Sequence, residues 1–185
     1  LKSIAGDEEI SGLKDVLKNG SSAAKISAIE LIAWNTQHEY FKEILPLTLS
    51  PDEGAKAAAF KALPSLAGQE DQEALLNLLR SAGNTGYVSD IQQALASSAN
   101  KINDVRKRSA QLLKAMDGSM DKKLIIPVLA RTGGREALSA VLKEFENGTT
   151  EMREVCFKAL TSWTDYSASS ALYEICASGN KTYEA

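Results

Sequence analysis

The sequence predicts an all-α fold, a solenoid of about five antiparallel helix pairs forming a right-handed α-α superhelix, and three observations carry that expectation. Ala and Leu dominate a 44% apolar composition that holds only four prolines, which favours helix over strand. The run Ala57-Ala58-Ala59-Phe60-Lys61-Ala62-Leu63 returns as Glu154-Val155-Cys156-Phe157-Lys158-Ala159-Leu160, 97 residues later. That offset also carries Ala74-Leu75 onto Ala171-Leu172 and Leu78 onto Ile175, so two neighbouring helices keep one register. An offset of 97 is three units of ~32 residues, within the 20–50-residue range of repeat architectures. Short Gly-bearing breaks at Gly20, Gly68, Gly83, Gly118, Gly133-Gly134, Gly148 and Gly179 separate the helical stretches and force neighbours to run antiparallel.

A first helix is expected over 7–19. Pairs follow at 22–34 with 37–49, 52–67 with 70–82, 85–99 with 102–116, 120–132 with 134–146, and 150–162 with 167–178. The final residues read as the start of a further helix, and the chain as a whole (1–185, one domain) as a piece of a longer protein. Asp7, Ser21 and Thr149 stand where helix starts need a capping oxygen, and Pro51 is expected at the first position of its helix, followed by Asp52 and Glu53 as an acidic first turn. A shift of 31 lays Ile29 on Phe60 and Ile32 on Leu63. A shift of 63 lays Leu63 on Ile126, Leu66 on Leu129 and Glu73-Ala74-Leu75 on Glu136-Ala137-Leu138. Ile91 is expected in the place of Phe60 in the least regular unit, 84–117.

Within 102–116, Ile102, Val105, Ser109, Leu112 and Met116 follow a spacing of three and four and form one stripe. Such a stripe cannot be buried by one helix, so stacking has to supply its cover, at roughly 25 cal/mol per Å² removed from water. Pro46, Pro64 and Pro127 fall inside expected helices, where kinks are expected.

The segment Met152-Arg153-Glu154-Val155-Cys156-Phe157-Lys158-Ala159-Leu160-Thr161-Ser162-Trp163, followed by Ala171-Leu172-Tyr173-Glu174-Ile175-Cys176, resembles HEAT repeats. The likeness is to the irregular, armadillo-type form found in large bacterial multidomain proteins, often beside carbohydrate-active or sugar-binding domains. It covers the chain from about residue 7 onward. It implies a scaffold that binds another protein or a neighbouring domain of the same chain, with the second helices of the pairs lining the concave side. It implies no catalytic residue and no cofactor. Other members of the wider HEAT-like class are DNA glycosylases, which sets an enzyme as the alternative, and a plain structural spacer as the third.

Charge is the sharpest functional hint. Residues 101–135 hold nine basic side chains (Lys101, Arg106, Lys107, Arg108, Lys114, Lys122, Lys123, Arg131, Arg135) against Asp104, Asp117 and Asp121, a net of +6 in a chain whose net charge is −3. The rest therefore carries −9, and a basic band between acidic ends suits an acidic partner. Arg106, Lys107, Arg108, Lys122, Arg131 and Arg135 are the candidate partner-binding residues. No aromatic interleaves them, which disfavours nucleic acid.

Other candidates read as structural. His38, the one histidine, has no Ser or Cys near it in sequence and is expected exposed or capping. Glu70, Asp71 and Glu73 crowd a helix start, where acids offset the dipole before they do acid–base work. Arg131-Thr132-Gly133-Gly134-Arg135-Glu136 lacks a phosphate-loop pattern and reads as a tight turn. Trp34 and Trp163 end equivalent helices within one residue, and packing accounts for both before sugar stacking does. The Asn-Gly-Ser, Asn-Gly-Thr and Asn-Lys-Thr sequons at 19, 147 and 180 carry no weight. Cys156 and Cys176 are expected as buried thiols, with one bridge between them the alternative, and no metal set is present. No run is apolar enough to insert in a membrane, and residues 1–6 lack a signal-peptide core, leaving localisation open, export from a bacterium included.

Overall fold

A computed structural model describes residues 7–83, 85–118 and 120–177, and all regular structure among them is helical. In chain order the helices are α1 (Asp7–Asn19), α2 (Ser22–Trp34), α3 (Phe41–Ile44), α4 (Glu53–Leu66), α5 (Gln72–Ala82) and α6 (Val88–Asn100). There follow α7 (Val105–Arg108), α8 (Ala110–Asp117), α9 (Lys122–Thr132), α10 (Arg135–Asn147), α11 (Thr150–Thr161) and α12 (Ser169–Ala177). Single 3₁₀ turns at His38–Tyr40, Gln69–Asp71 and Tyr166–Ala168 lead into α3, α5 and α12, and a fourth 3₁₀ segment, Leu45–Leu49, follows α3. The further helix expected at the end of the chain lies outside the described residues.

The helices form two rows. In the first, α2, α4, α6, α9 and α11 stack each against the next. The second row lies beneath: α3 and the Leu45–Leu49 turn pack on α4, α5 on α6, α8 on α9, and α10 on α11. α1 packs on α2 in the same manner, so it takes a second-row place. Each second-row element thus packs on the first-row helix that follows it in the chain, α10 on both α9 and α11, and the stripes of both rows merge into one continuous core.

Burial fixes the register of the first row. Ala28, Ile29 and Ile32 of α2 correspond to Ala59, Phe60 and Leu63 of α4, to Ile91, Gln92 and Leu95 of α6, and to Ile125, Ile126 and Leu129 of α9. In α11 the same positions are Cys156, Phe157 and Leu160. Successive shifts of 31, 32, 34 and 31 residues follow, and the last three make up the 97-residue sequence offset. Two sequence alignments change. Gln92, not Ile91, stands in the place of Phe60. Leu63 matches Leu129 rather than Ile126, although Leu75 and Leu78 of α5 still match Leu138 and Val141 of α10 by 63. The difference is the turn: α4 reaches α5 through Ala67–Asp71, whereas α9 reaches α10 through Gly133-Gly134 alone, at φ +67° and +93°. Only glycine adopts that pair of conformations without strain.

Capping oxygens set the helix starts. Ser21 Oγ accepts from Ala24 N at 3.3 Å, Asp52 Oδ1 from Gly54 N at 2.9 Å and Ala55 N at 3.1 Å, Asp121 Oδ1 from Lys123 N at 3.0 Å, and Thr149 Oγ1 from Met152 N at 3.3 Å. Asp52 is therefore the cap rather than a first-turn acid, and Pro51 stands outside the helix, two places before the first helical position expected for it. The largest correction falls on 102–116. Asp104 Oδ1 accepts from Arg106 N, which starts the helix at Val105 rather than 102, and the helix breaks at Ser109. Ser109, Leu112 and Met116 are buried as the stripe requires, but Val105 is exposed. The helices α4 and α9 run on through Pro64 and Pro127, while Pro46 opens the 3₁₀ segment that replaces the second half of the helix expected over 37–49.

Candidate interaction surface

The turns that join the two rows lie along one edge, and each is tied to its neighbours by side chains. At and just past the end of α4, three carbonyls are met by side chains from other units. His38 Nδ1, from the preceding unit, lies 2.9 Å from Leu66 O; Lys101 Nζ and Ser98 Oγ, from the following unit, donate to Ala67 O at 2.6 Å and Gly68 O at 2.5 Å. A carbonyl only accepts, so His38 Nδ1 carries the proton in that bond. Lys101 Nζ, 3.2 Å from the same nitrogen, then directs its protons to Ala67. The histidine is exposed and capping, as its surroundings in sequence suggested.

Asp71 belongs to the same knot. Its carboxylate accepts from Gly68 N at 2.7 Å, and burial pushes its pKa up against that hydrogen bond. Burial likewise draws Lys101 down, while Glu70 and Asp71 pull it back up. Glu73 stays exposed in the first turn of α5. The acidic cluster thus divides into one buried cap and exposed first-turn acids.

The next turns repeat the scheme. Asn100 Nδ2 donates to Arg131 O at 3.2 Å, Gln92 Nε2 to Leu124 O at 2.9 Å, Thr164 N to Ala130 O at 3.0 Å, and Gly134 N to Asp165 Oδ2 at 3.2 Å. The Ser167 hydroxyl, aided by the Ser167 and Gly134 N–H groups and the Trp163 indole, holds Asp165 below the usual carboxylate range against its desolvation. The Gly-Gly turn is tight, as read from the sequence. Sequence reasoning missed the capping roles of Lys101 and Ser98 and the ties made by Gln92 and Asn100, because their acceptors lie in other units; the one signal was the common place of Ser98, Asn100 and Lys101 at the end of α6.

The basic band divides. Lys122 Nζ pairs with Glu144 Oε1 at 2.7 Å and Lys123 Nζ with Glu151 Oε1 at 2.6 Å, both at the start of α9. Arg131 lies at the other end of that helix, ~14 Å away at 1.5 Å per residue. There a second group assembles. A Cβ built on Gly134 would stand 3.6 Å from Val105 Cγ1, so the start of α7 abuts the Gly-Gly turn and brings Arg106 beside Arg135 in backbone terms. Arg106, Lys107 and Arg135 are exposed; Lys107 makes a loose 3.8 Å pair with Asp104. Arg108 is turned inward, its Nε donating to Ile102 O at 2.8 Å, and Arg131 is half-buried with Nη1 sealed from solvent. Of the six candidates, Arg106, Lys107 and Arg135 can meet a partner directly, Lys122 is already neutralised, Arg108 is engaged by the Ile102 carbonyl, and Arg131 is half-buried.

The two tryptophans part company. Trp163 packs against the core, whereas Trp34 is 88% exposed and packs on nothing central. Trp34 is the last residue of α2, whereas Trp163 lies two residues beyond the end of α11, so the two rings do not share a helical position. Cys156 and Cys176 are unbridged; Cys156 is buried and its pKa is pushed up to about 12 by burial and Glu144, while Cys176 is only half-buried. Among the described residues no group of three or more His, Cys, Asp or Glu is placed to hold a metal ion, and no helix is long and apolar enough to cross a membrane. No family model matches the chain, and no curated protein matches it in sequence.

Proposed function

We infer that the chain is a non-catalytic, HEAT-like right-handed superhelical scaffold that holds an acidic surface of another protein or of a neighbouring domain. The observation that supports this most is the grouping of Arg106, Lys107 and Arg135 at one tight junction between units, exposed and without a close full-strength counter-charge among the described residues. A rigid knot of turn hydrogen bonds holds their backbones in place, so a partner would meet fixed positions rather than mobile tails. The division of the band argues against a continuous phosphate-tracking groove, which a DNA glycosylase-type protein requires.

The test is isothermal titration with a Glu-rich peptide and, separately, with a duplex DNA, each at low and physiological salt. Saturable peptide binding that weakens at least threefold with Arg135→Glu or Arg106→Glu, and does not change with Lys122→Ala, is the expected result. Duplex binding tighter than peptide binding, or peptide binding equally sensitive to Lys122, overturns the reading. The enzyme alternative would be revived by the first of these outcomes.

A further inference from the structure

The Gly133-Gly134 turn is a meeting point of three segments. Thr164 N donates to Ala130 O at 3.0 Å and Gly134 N to Asp165 Oδ2 at 3.2 Å, which ties the turn after α11 to it. A Cβ on Gly133 would stand 2.5 Å from Asp165 Oδ2 and 2.8 Å from Thr164 Cγ2, so glycine alone lets the two turns close on each other. The start of α7 meets the same turn, with Val105 Cγ1 at 3.6 Å from a Cβ on Gly134. Each of the three residues in contact is followed by an exposed one: Arg106 after Val105, Arg135 after Gly134 and Tyr166 after Asp165. Val105 is itself 47% exposed, and Tyr166 is 95% exposed. The basic junction therefore has an aromatic neighbour in backbone terms, brought to it from another unit.

The exposure of Tyr166 belongs to its place in the repeat. The Tyr166–Ala168 turn lies 97 residues after the Gln69–Asp71 turn, and that one 31 after His38–Tyr40. The counterparts of Tyr166 there, Gln69 and His38, are exposed although a further unit follows each of them, and the residue that turns inward is the third: Tyr40, Asp71 or Ala168. A glutamine at that place is satisfied by water, whereas a tyrosine leaves a large ring unpacked. Two acids beside the junction are turned to backbone. Asp104 Oδ1 accepts from Arg106 N at 3.1 Å, and Asp165 accepts from Ser167 N at 2.8 Å as well as from Gly134 N. Glu136 adds an exposed acid next to Arg135, against Arg106, Lys107 and Arg135 at the surface and the less exposed Arg108 and Arg131, so the junction stays positive.

We propose that this junction takes an acidic segment of a partner protein that carries an aromatic side chain beside its carboxylates, the carboxylates meeting Arg106 and Arg135 and the ring lying against Tyr166 and Val105. The proposal rests on the reading of Arg106 and Arg135 as partner-binding and adds the apolar half of the recognition. Guanidinium and carboxylate pair through two parallel hydrogen bonds, and offset rings stack with centroids about 4.5–7 Å apart, so both contacts fit side by side on one short segment. Tyr and Arg are also the residue types that most often carry the energy of an interface. A single-stranded nucleic acid would stack a base on Tyr166 too, but its phosphates would run on over a chain that carries −9 outside the basic band.

Fluorescence anisotropy of two labelled Glu-rich peptides, one with a central Phe and one with Ala in its place, tests this at physiological salt. The Phe peptide should bind about tenfold more tightly. Tyr166→Gln should remove that advantage and leave the Ala peptide unchanged, Tyr166→Phe should keep it, and Arg135→Glu should weaken both peptides. Glutamine is the residue at this place in the Gln69–Asp71 turn, so Tyr166→Gln suits the backbone, and circular dichroism checks the fold. Equal affinity for the two peptides, or an advantage that survives Tyr166→Gln, overturns the proposal and leaves the basic pair standing as long as Arg135→Glu still weakens both. Indifference of both peptides to Arg135→Glu overturns the two readings together. An oligothymidylate that displaces the labelled Phe peptide more effectively than the same peptide unlabelled, and loses that ability with Tyr166→Gln, overturns the proposal in favour of single-stranded nucleic acid.

Discussion

Leu63→Ala and Leu31→Ala make a matched pair, the same atoms removed from two helices of the same row. Leu63 is fully buried in α4, among the side chains that join α4 to its neighbours. Its loss removes the transfer free energy of a whole side chain and leaves a cavity that packed helices on both sides cannot close, a cost of about 3–4 kcal/mol. Leu31 keeps only half its surface out of water. Full burial of a leucine is worth about 1.5–3 kcal/mol, so the half that is covered contributes about 1 kcal/mol, and the open flank leaves no cavity. The expected gap is therefore about 2–3 kcal/mol. Urea unfolding followed by far-ultraviolet circular dichroism reads it directly. Unequal slopes between the variants would mark loss of all-or-none unfolding, to which stacked repeats are prone, and the comparison is then made on the first transition. If the two substitutions cost the same within about 0.5 kcal/mol, the two-row register with Leu31 on an uncovered flank is wrong.

Substitutions at Thr36, Asp71 and Asp165 probe the turns, and an alkylation probes the thiols. Thr36 closes α2 with φ +50° in a double-bonded turn, Thr36 N to Ala33 O at 3.1 Å and Gln37 N to Ile32 O at 3.2 Å, where a β-branched residue is strained. Thr36→Gly should raise stability by about 0.5–1 kcal/mol, measured by the urea midpoint. Asp71→Ala removes the acceptor for the buried Gly68 N–H and should cost about 1–2 kcal/mol, whereas Asp71→Asn keeps an acceptor without a charge whose burial is unfavourable and should cost well under 1 kcal/mol. Iodoacetamide at pH 8 should alkylate Cys176 in the folded chain and Cys156 only after unfolding, since burial holds the Cys156 thiol near 12; mass spectrometry of the digest gives the order. Asp165 is held below its ordinary value of 3.8, so its stabilising share is present above that pH and is lost as pH falls through the lower folded value. Asp165→Asn should accordingly flatten the acid limb of the stability profile below pH 3.8, and an unchanged limb would show that Asp165 is not what titrates there.

Much of this arrangement is legible in one dimension, because helix formation and amphipathic periodicity are local. The all-helical class, the ~32-residue unit, most helix bounds to within two or three residues and the capping oxygens of Ser21 and Thr149 all follow from neighbours in sequence. Three things waited for the tertiary structure. Trp34, the last residue of α2, stands in solvent, while Trp163 follows the end of α11 and packs against the core, a difference that composition does not record. The two-residue turn at Gly133-Gly134 moved α9 three residues relative to α10 in the repeat, since turn length is set by backbone conformation rather than by the helices it joins. The basic band, continuous in sequence, was divided by the length of α9 and by the acids Glu144 and Glu151, which reach it from α10 and α11. Most helix positions were determined by the sequence alone; which flank is covered, which charge is neutralised and which leucine is left half in water depend on contacts between units some thirty residues apart, and only packing decides those.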